Sequence, residues 1–149
     1  MKPADTTDLL DKDVGRILIV DDLPNWRETL TEVLVTDGHT VSSVAEPSQA
    51  MELLSRYPVD VAVLDLRLRD QDIFDVRGLR LLEEIRAKSP RTCVVMVTGF
   101  PSERLLDKIA HEYKIDAFWL KNPTEDYFDI EVFRQEIRSL VEKSRKSSK

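Results

Sequence analysis

The chain has 149 residues, enough for one domain with a sizeable core, and its 42% hydrophobic and 34% charged residues describe an ordinary soluble globular protein. A net charge of -6 disfavours non-specific attachment to nucleic acid or to an anionic membrane. The single cysteine, Cys93 in the apolar run CVVMV, excludes an intramolecular disulfide, reads as a small buried hydrophobe and fits a reducing compartment.

The polar, acidic opening MKPADTTDLLDKDVG lacks the apolar stretch of a signal peptide, and no run approaches a membrane span, so a cytoplasmic protein is expected. Residues 1–14 read as a flexible leader or a short extra helix. RILIV (16–20) is a continuous apolar run, the pattern of a strand buried on both faces. Trp26, Leu30, Val33 and Leu34 then recur at helical spacing, and Gly38 stands where a helix C-cap belongs. TVSSV (40–44) is a more polar strand, suited to a sheet edge. A helix follows over 46–57, with Ala50, Leu53 and Leu54 inward.

VAVLDL (61–66) is the third strand. The polar stretch RLRDQDIFDVRG leads to a helix over 79–88 with Leu82 and Ile85 inward. TCVVMV (92–97) is the fourth strand, and the helix over 101–113 opens on Pro101, a good first-turn residue. Its apolar face carries Leu105, Leu106, Ile109 and Tyr113. AFWL (117–120) is the fifth strand, and Ile130, Phe133, Ile137, Leu140 and Val141 mark a last amphipathic helix. A folded unit over 15–142 followed by a basic tail or linker start at 143–149 is the expected organisation. Five strands alternating with five helices predict an α/β fold, a single doubly wound parallel sheet with helices on both faces. Functional groups in such folds gather at the carboxyl ends of the strands.

Those ends carry a consistent chemistry. The first strand runs into Asp21 and Asp22, and the third delivers Asp65. The fourth ends at Thr98, followed by Gly99, and the fifth at Lys121. Singly, each has a plain reading: a strand stop, a helix cap, a solvated lysine. Together they place three carboxylates, a hydroxyl and an ammonium at one edge. Carboxylates without thiol or imidazole favour a hard cation, Mg²⁺ first, with Mn²⁺ able to substitute. Lys121 is a movable point charge suited to phosphate, Thr98 offers a hydroxyl donor, and a carboxylate in this setting can attack phosphorus to form an aspartyl-phosphate. His39 and His111 read as surface residues rather than ligands.

The segments ILIVDD, VAVLDL, VVMVTG and FWLKNP resemble the receiver domain of two-component response regulators, over about residues 15–142. The resemblance implies the strand order 2-1-3-4-5 and Asp65 as phosphoacceptor. It implies that Asp22, Asp65 and the backbone carbonyl of Arg67 bind Mg²⁺ directly, with Asp21 acting through metal-bound water. Lys121 would pair with Asp65 and then with a phosphoryl oxygen. Thr98 would bond another phosphoryl oxygen in the active state, Gly99 would leave room for the group, and Phe118 matches the switch aromatic. The implied mechanism is a population shift that reshapes the face built from the fourth helix, fifth strand and fifth helix. Such a domain catalyses its own phosphorylation and dephosphorylation and acts as a signalling switch, not an enzyme. The implied partners are a sensor histidine kinase or a histidine phosphotransfer protein, a downstream protein or fused output domain, and a second copy in a homodimer. No direct partnership with nucleic acid or membrane is implied.

The sequence departs from the family pattern in two places. The loop after Asp65 is long, with Gly78 lying 13 positions on, and its insertion RDQDIFDVR carries Asp70, Asp72, Asp75, Arg69 and Arg77. It reads as a solvated loop or as a lid. In KNP, Asn122 separates Lys121 from Pro123, and a cis Lys–Asn bond would cost several kcal/mol, so a trans bond is expected. Arg67 and Phe100 occupy the two positions that tune phosphoryl lifetime in the family, and the bulky Phe100 implies slow autodephosphorylation. Two rivals remain: a phosphate-independent interaction module, and an aspartate-nucleophile phosphatase, which lacks its second aspartate here because Leu66 and Arg67 follow Asp65.

Overall fold

The computed structural model of the chain describes residues 13–65, 76–98, 107, 111–120 and 129–147. The apolar runs become β1 (Arg16–Val20), β2 (Thr40–Val44), β3 (Val61–Leu64), β4 (Cys93–Thr98) and β5 (Ala117–Leu120). They form one parallel sheet in the predicted order β2-β1-β3-β4-β5. The helices are α1 (Pro24–Thr36), α2 (Pro47–Arg56), α3 (Val76–Lys88) and α5 (Ile130–Ser147), while helical residues 107 and 111–113 mark α4 ahead of β5.

Alternation along the strands builds two cores. Leu18, Val20, Ala62, Leu64, Val94 and Met96 pack against Ala50 of α2 and Leu81, Leu82 and Ile85 of α3. On the other face Ile17, Ile19, Val61, Val63, Val95 and Val97 meet Leu30 and Leu34 of α1 and Phe133, Ile137, Leu140 and Val141 of α5. Both faces are covered, which is why the central strands read as unbroken apolar runs. β2, half polar, takes the edge.

Local signals set the helix ends. α1 begins on Pro24 at its first turn and has no side-chain cap. It ends in a Schellman motif, with Gly38 N–H donating to Val35 O and His39 N–H to Leu34 O, and Gly38 takes the positive φ of 98° that this motif needs. Glu46 and Gln49 form a capping box on α2. Asp129 caps α5 by accepting from the N–H groups of Glu131 and Val132.

Three carboxylates tie α5 down. Asp37, at the end of α1, accepts hydrogen bonds from Arg134 and Arg138, and the Arg134 bond holds its carboxyl below the usual range. Asp60, just before β3, accepts from Arg16 N–H and from Arg91, which also donates to Ser144 at 2.8 Å. Asp116 accepts from Val94 N–H and from Lys143.

Several boundaries differ from the sequence reading. β3 ends at Leu64, one residue before Asp65, and β4 starts at Cys93, one residue after the expected Thr92, and ends at Thr98. α3 starts at Val76, so Gly78 and the last two residues of the insertion are helical. α5 continues to Ser147, through five residues that the pattern assigns to a basic tail. Ser144 is fully buried there and bonded to Arg91, a contact that hydrophobic periodicity does not report. His39 is not a surface residue: it is buried, and its Nδ1 accepts the Gly15 N–H. His111 is exposed, as expected. Cys93 is buried, and burial pushes its thiol up to about 11. Residues 66–75, with most of the insertion read as a lid, and residues 1–12 of the leader lie outside the described residues, as do 121–128 with the Lys121–Asn122 bond. No described helix is long and apolar enough to cross a membrane.

Candidate functional site: a carboxylate trio at the strand ends

β1 and β3 are neighbours in register, Val20 opposite Leu64, so the residues that follow them emerge together. Asp65 N–H donates to Val20 O at 2.8 Å, and Asp21 N–H donates to Val44 O at 3.1 Å. These bonds extend the ladder one residue past each strand and fix both aspartates at the carboxyl end of the sheet. Asp21 is buried at 2% exposure, Asp65 is half-buried and Asp22 is exposed. One carboxylate oxygen from each of the three lies within 4.8 Å of the others.

Two unit charges about 4.8 Å apart repel by roughly 1 kcal/mol in bulk water and roughly 3–4 kcal/mol at an effective dielectric near 20. A cation among them would offset that repulsion. Its donors are all carboxylate oxygens, the set that hard divalent cations select over soft ones. Ligand oxygens about 2.0–2.6 Å from one ion lie at most about 4–5 Å from each other, which the trio's spread matches. Asp21, Asp22 and Asp65 thus fit a single divalent cation.

The turn between β1 and α1 holds two of these carboxylates. Asp21 Oδ1 accepts the Leu23 N–H at 2.8 Å, and the Asp21 carbonyl accepts Arg27 Nη1 at 2.7 Å. Sequence reasoning missed Arg27. The available signal was a cation in the first turn of a helix that carries no acidic residue there, against the preference of the helix dipole.

The other expected residues are distributed as follows. Thr98 closes β4 opposite Leu120, the residue before Lys121; its side chain, Lys121, Gly99, Phe100 and Arg67 lie outside the described residues. Phe118 sits in β5 opposite Met96 and is 37% exposed, an outward position. Its neighbour Trp119 points to the other face, edge-on to Phe133 and donating to Glu136.

Residues 17–127 match the family model for the response regulator receiver domain. Response regulator protein PilR of Pseudomonas aeruginosa is 35% identical over 111 residues, which are 74% of this chain and 23% of that protein. The alginate biosynthesis transcriptional regulatory protein AlgB of the same organism is 37% identical over 85 residues, 57% of this chain and 18% of that protein. The chain thus spans less than a quarter of the length of these relatives. Among solved structures, a CheY-like response regulator receiver domain protein from Methanospirillum hungatei superposes with a TM-score of 0.74 at 23% identity, covering 90% of this chain and 98% of that one. Response regulator protein TrrA from Thermotoga maritima, crystallised in complex with Mg²⁺-BeF, gives 0.66 at 24% identity, covering 85% and 99%. These structural likenesses establish the fold, and the family match covers the strand ends at which the three aspartates meet: the chain belongs to the response regulator receiver domain family.

Proposed function

We propose that this receiver takes a phosphoryl group on Asp65 from a phosphohistidine and uses it to change its affinity for a partner. The observation that carries the proposal is the convergence of Asp21, Asp22 and Asp65 within 4.8 Å at the ends of two adjacent strands. A Mg²⁺ ion held by these carboxylates, with Mn²⁺ as a substitute, would offset their repulsion and neutralise charge on the phosphoryl oxygens. Asp65, fixed by its N–H to the end of β1 and only half-buried, presents a carboxylate oxygen to the incoming phosphorus. A P–O bond forms there as the donor's P–N bond breaks and the imidazole leaves. Asp22, Asp65 and the Arg67 carbonyl would bind the cation directly, and Asp21 would act through metal-bound water.

Lys121 and the Thr98 hydroxyl receive the phosphoryl oxygens, Gly99 gives them room, and Phe118 turns inward from its exposed position as Thr98 moves. The face of α4, β5 and α5 then presents a different surface to a downstream protein, a fused output domain or a second copy. The donor is a sensor histidine kinase or a histidine phosphotransfer protein, in the cytoplasm. The relatives' extra length, and the transcriptional role that AlgB's name states for that protein, favour an output domain on the same polypeptide.

Intact mass after incubation with Mg²⁺ and acetyl phosphate tests the reading. One phosphoryl adduct is expected on the wild type, lost on chelation and absent from Asp65→Asn. An adduct that survives in Asp65→Asn would move the acceptor elsewhere. No adduct from either acetyl phosphate or a phosphorylated histidine phosphotransfer protein would leave the phosphate-independent module.

A further inference from the structure

Asp21 is held at every backbone atom that could swing its neighbour. Its N–H is bound to Val44 O, and its carboxylate closes a turn onto Leu23 N–H. Its carbonyl, the acceptor half of the Asp21–Asp22 peptide, is bound by Arg27 Nη1 at 2.7 Å. That carbonyl belongs to the peptide plane from which the exposed Asp22 departs. Arg27 itself is fixed, because its own N–H makes the first bond of α1 to Leu23 O at 3.1 Å and its side chain is half-buried. The residue before the helix, Leu23, offers no side-chain cap. The turn is therefore closed from both sides, by the Asp21 carboxylate and by a side chain reaching back from inside the helix.

We infer that Arg27 is a positioning residue of the cation site: by holding the Asp21 carbonyl it fixes the peptide plane that aims Asp22 at the point shared with Asp21 and Asp65. The inference rests on the three carboxylates holding a divalent cation. Two effects of the guanidinium oppose each other. Its charge, near a cation site, weakens metal binding, and its hydrogen bond strengthens binding by pre-setting the ligand. The charge acts at a partly exposed position where solvent and salt screen it. The bond acts on the geometry of a direct ligand, where loss of an outer partner commonly costs about tenfold or more in affinity. Positioning wins.

The test is the dissociation constant of Mn²⁺, read by the electron paramagnetic resonance of the free ion in 150 mM KCl, with the metal-free thermal midpoint recorded alongside. Wild type, Asp65→Asn, Arg27→Met and Arg27→Lys are compared. The Met variant is expected to bind about tenfold more weakly, and the Lys variant, which keeps a donor and the charge, to fall between it and wild type. A merely structural role would lower the thermal midpoint without moving the affinity of the folded protein. Met-variant affinity within about twofold of wild type, or tighter, overturns the inference. If the Met variant does not fold, wild-type affinity in the Lys variant overturns it. A wild type that binds Mn²⁺ no better than Asp65→Asn removes the cation reading itself, an outcome distinct from either.

Discussion

His39 keeps its Nδ1 on the Gly15 N–H, so the neutral ring carries its proton on Nε2, which is buried with no hydrogen-bond partner among the described residues. A second proton would have to enter at Nδ1, against the Gly15 N–H. Burial, partly countered by Asp37, accordingly holds the imidazole below its ordinary range. The unfolded chain takes up that proton near about pH 6.5, the folded chain only at lower pH, so the unfolded state binds more protons in between. This contribution to stability is complete above about 6.5 and is lost as pH falls through the lower folded value. Urea midpoints at neutral and mildly acid pH should therefore fall less in His39→Gln, which can accept the same N–H without titrating, than in wild type; equal falls would assign the acid loss elsewhere. The same residue marks a boundary of legibility. Asp21, Asp22 and Asp65 could be found in the sequence because they interrupt apolar strands at predictable ends. His39 and Asp60 could not, because their partners lie across the fold: Gly15 is 24 residues from His39, and Arg91 is 31 from Asp60.

At the level of elements, the last helix shows where pattern reading stops. Phe133, Ile137, Leu140 and Val141 repeat at helical spacing and are buried as the period demands. Beyond them EKSRKSSK has no apolar residue to continue the stripe, yet α5 persists to Ser147 because its inner face is completed by polar contacts. Ser144 accepts from Arg91 at 2.8 Å in full burial, and Lys143, itself mostly exposed, reaches the largely buried Asp116. A chain ended after Glu142 should lose about 1.5–3 kcal/mol of unfolding free energy, the scale of one hydrogen bond from a charged donor. It would appear as a lower urea midpoint with unchanged slope, and an unaltered midpoint would return the segment to the status of a tail. The strands, by contrast, were legible to within a residue or two, since burial on both faces leaves little room for polar residues except at their ends.

Across the whole molecule, acidic side chains gather at both ends of the sheet. At the amino end, Asp37 and Asp60 each sit among arginines. At the carboxyl end, three carboxylates converge among the described residues on a place that fits a cation. The sheet order that creates this arrangement was legible from the alternation of strands and helices together with the family resemblance. Only the native fold brings Asp65 next to Asp21 and Asp22, so a cation that needs all three binds the folded state alone. Mg²⁺ at about ten times its dissociation constant should then add about 1.4 kcal/mol to stability, visible as a rise in the thermal midpoint that Asp22→Asn lacks. An equal rise in that variant would point to a different binding place.

The cysteine gives this architecture a clock. Cys93 is the chain's one thiol, it lies buried against α5, and its Sγ donates to the Leu140 carbonyl at 3.5 Å. With its pKa pushed up to about 11, it is almost wholly protonated at neutral pH and unreactive while covered. Capture by a maleimide must wait until α5 parts from the sheet, so the labelling rate counts those openings directly. Because the reagent has a single address, the labelling rate at reagent concentrations where capture outpaces reclosing reads the lifetime of that helix–sheet contact.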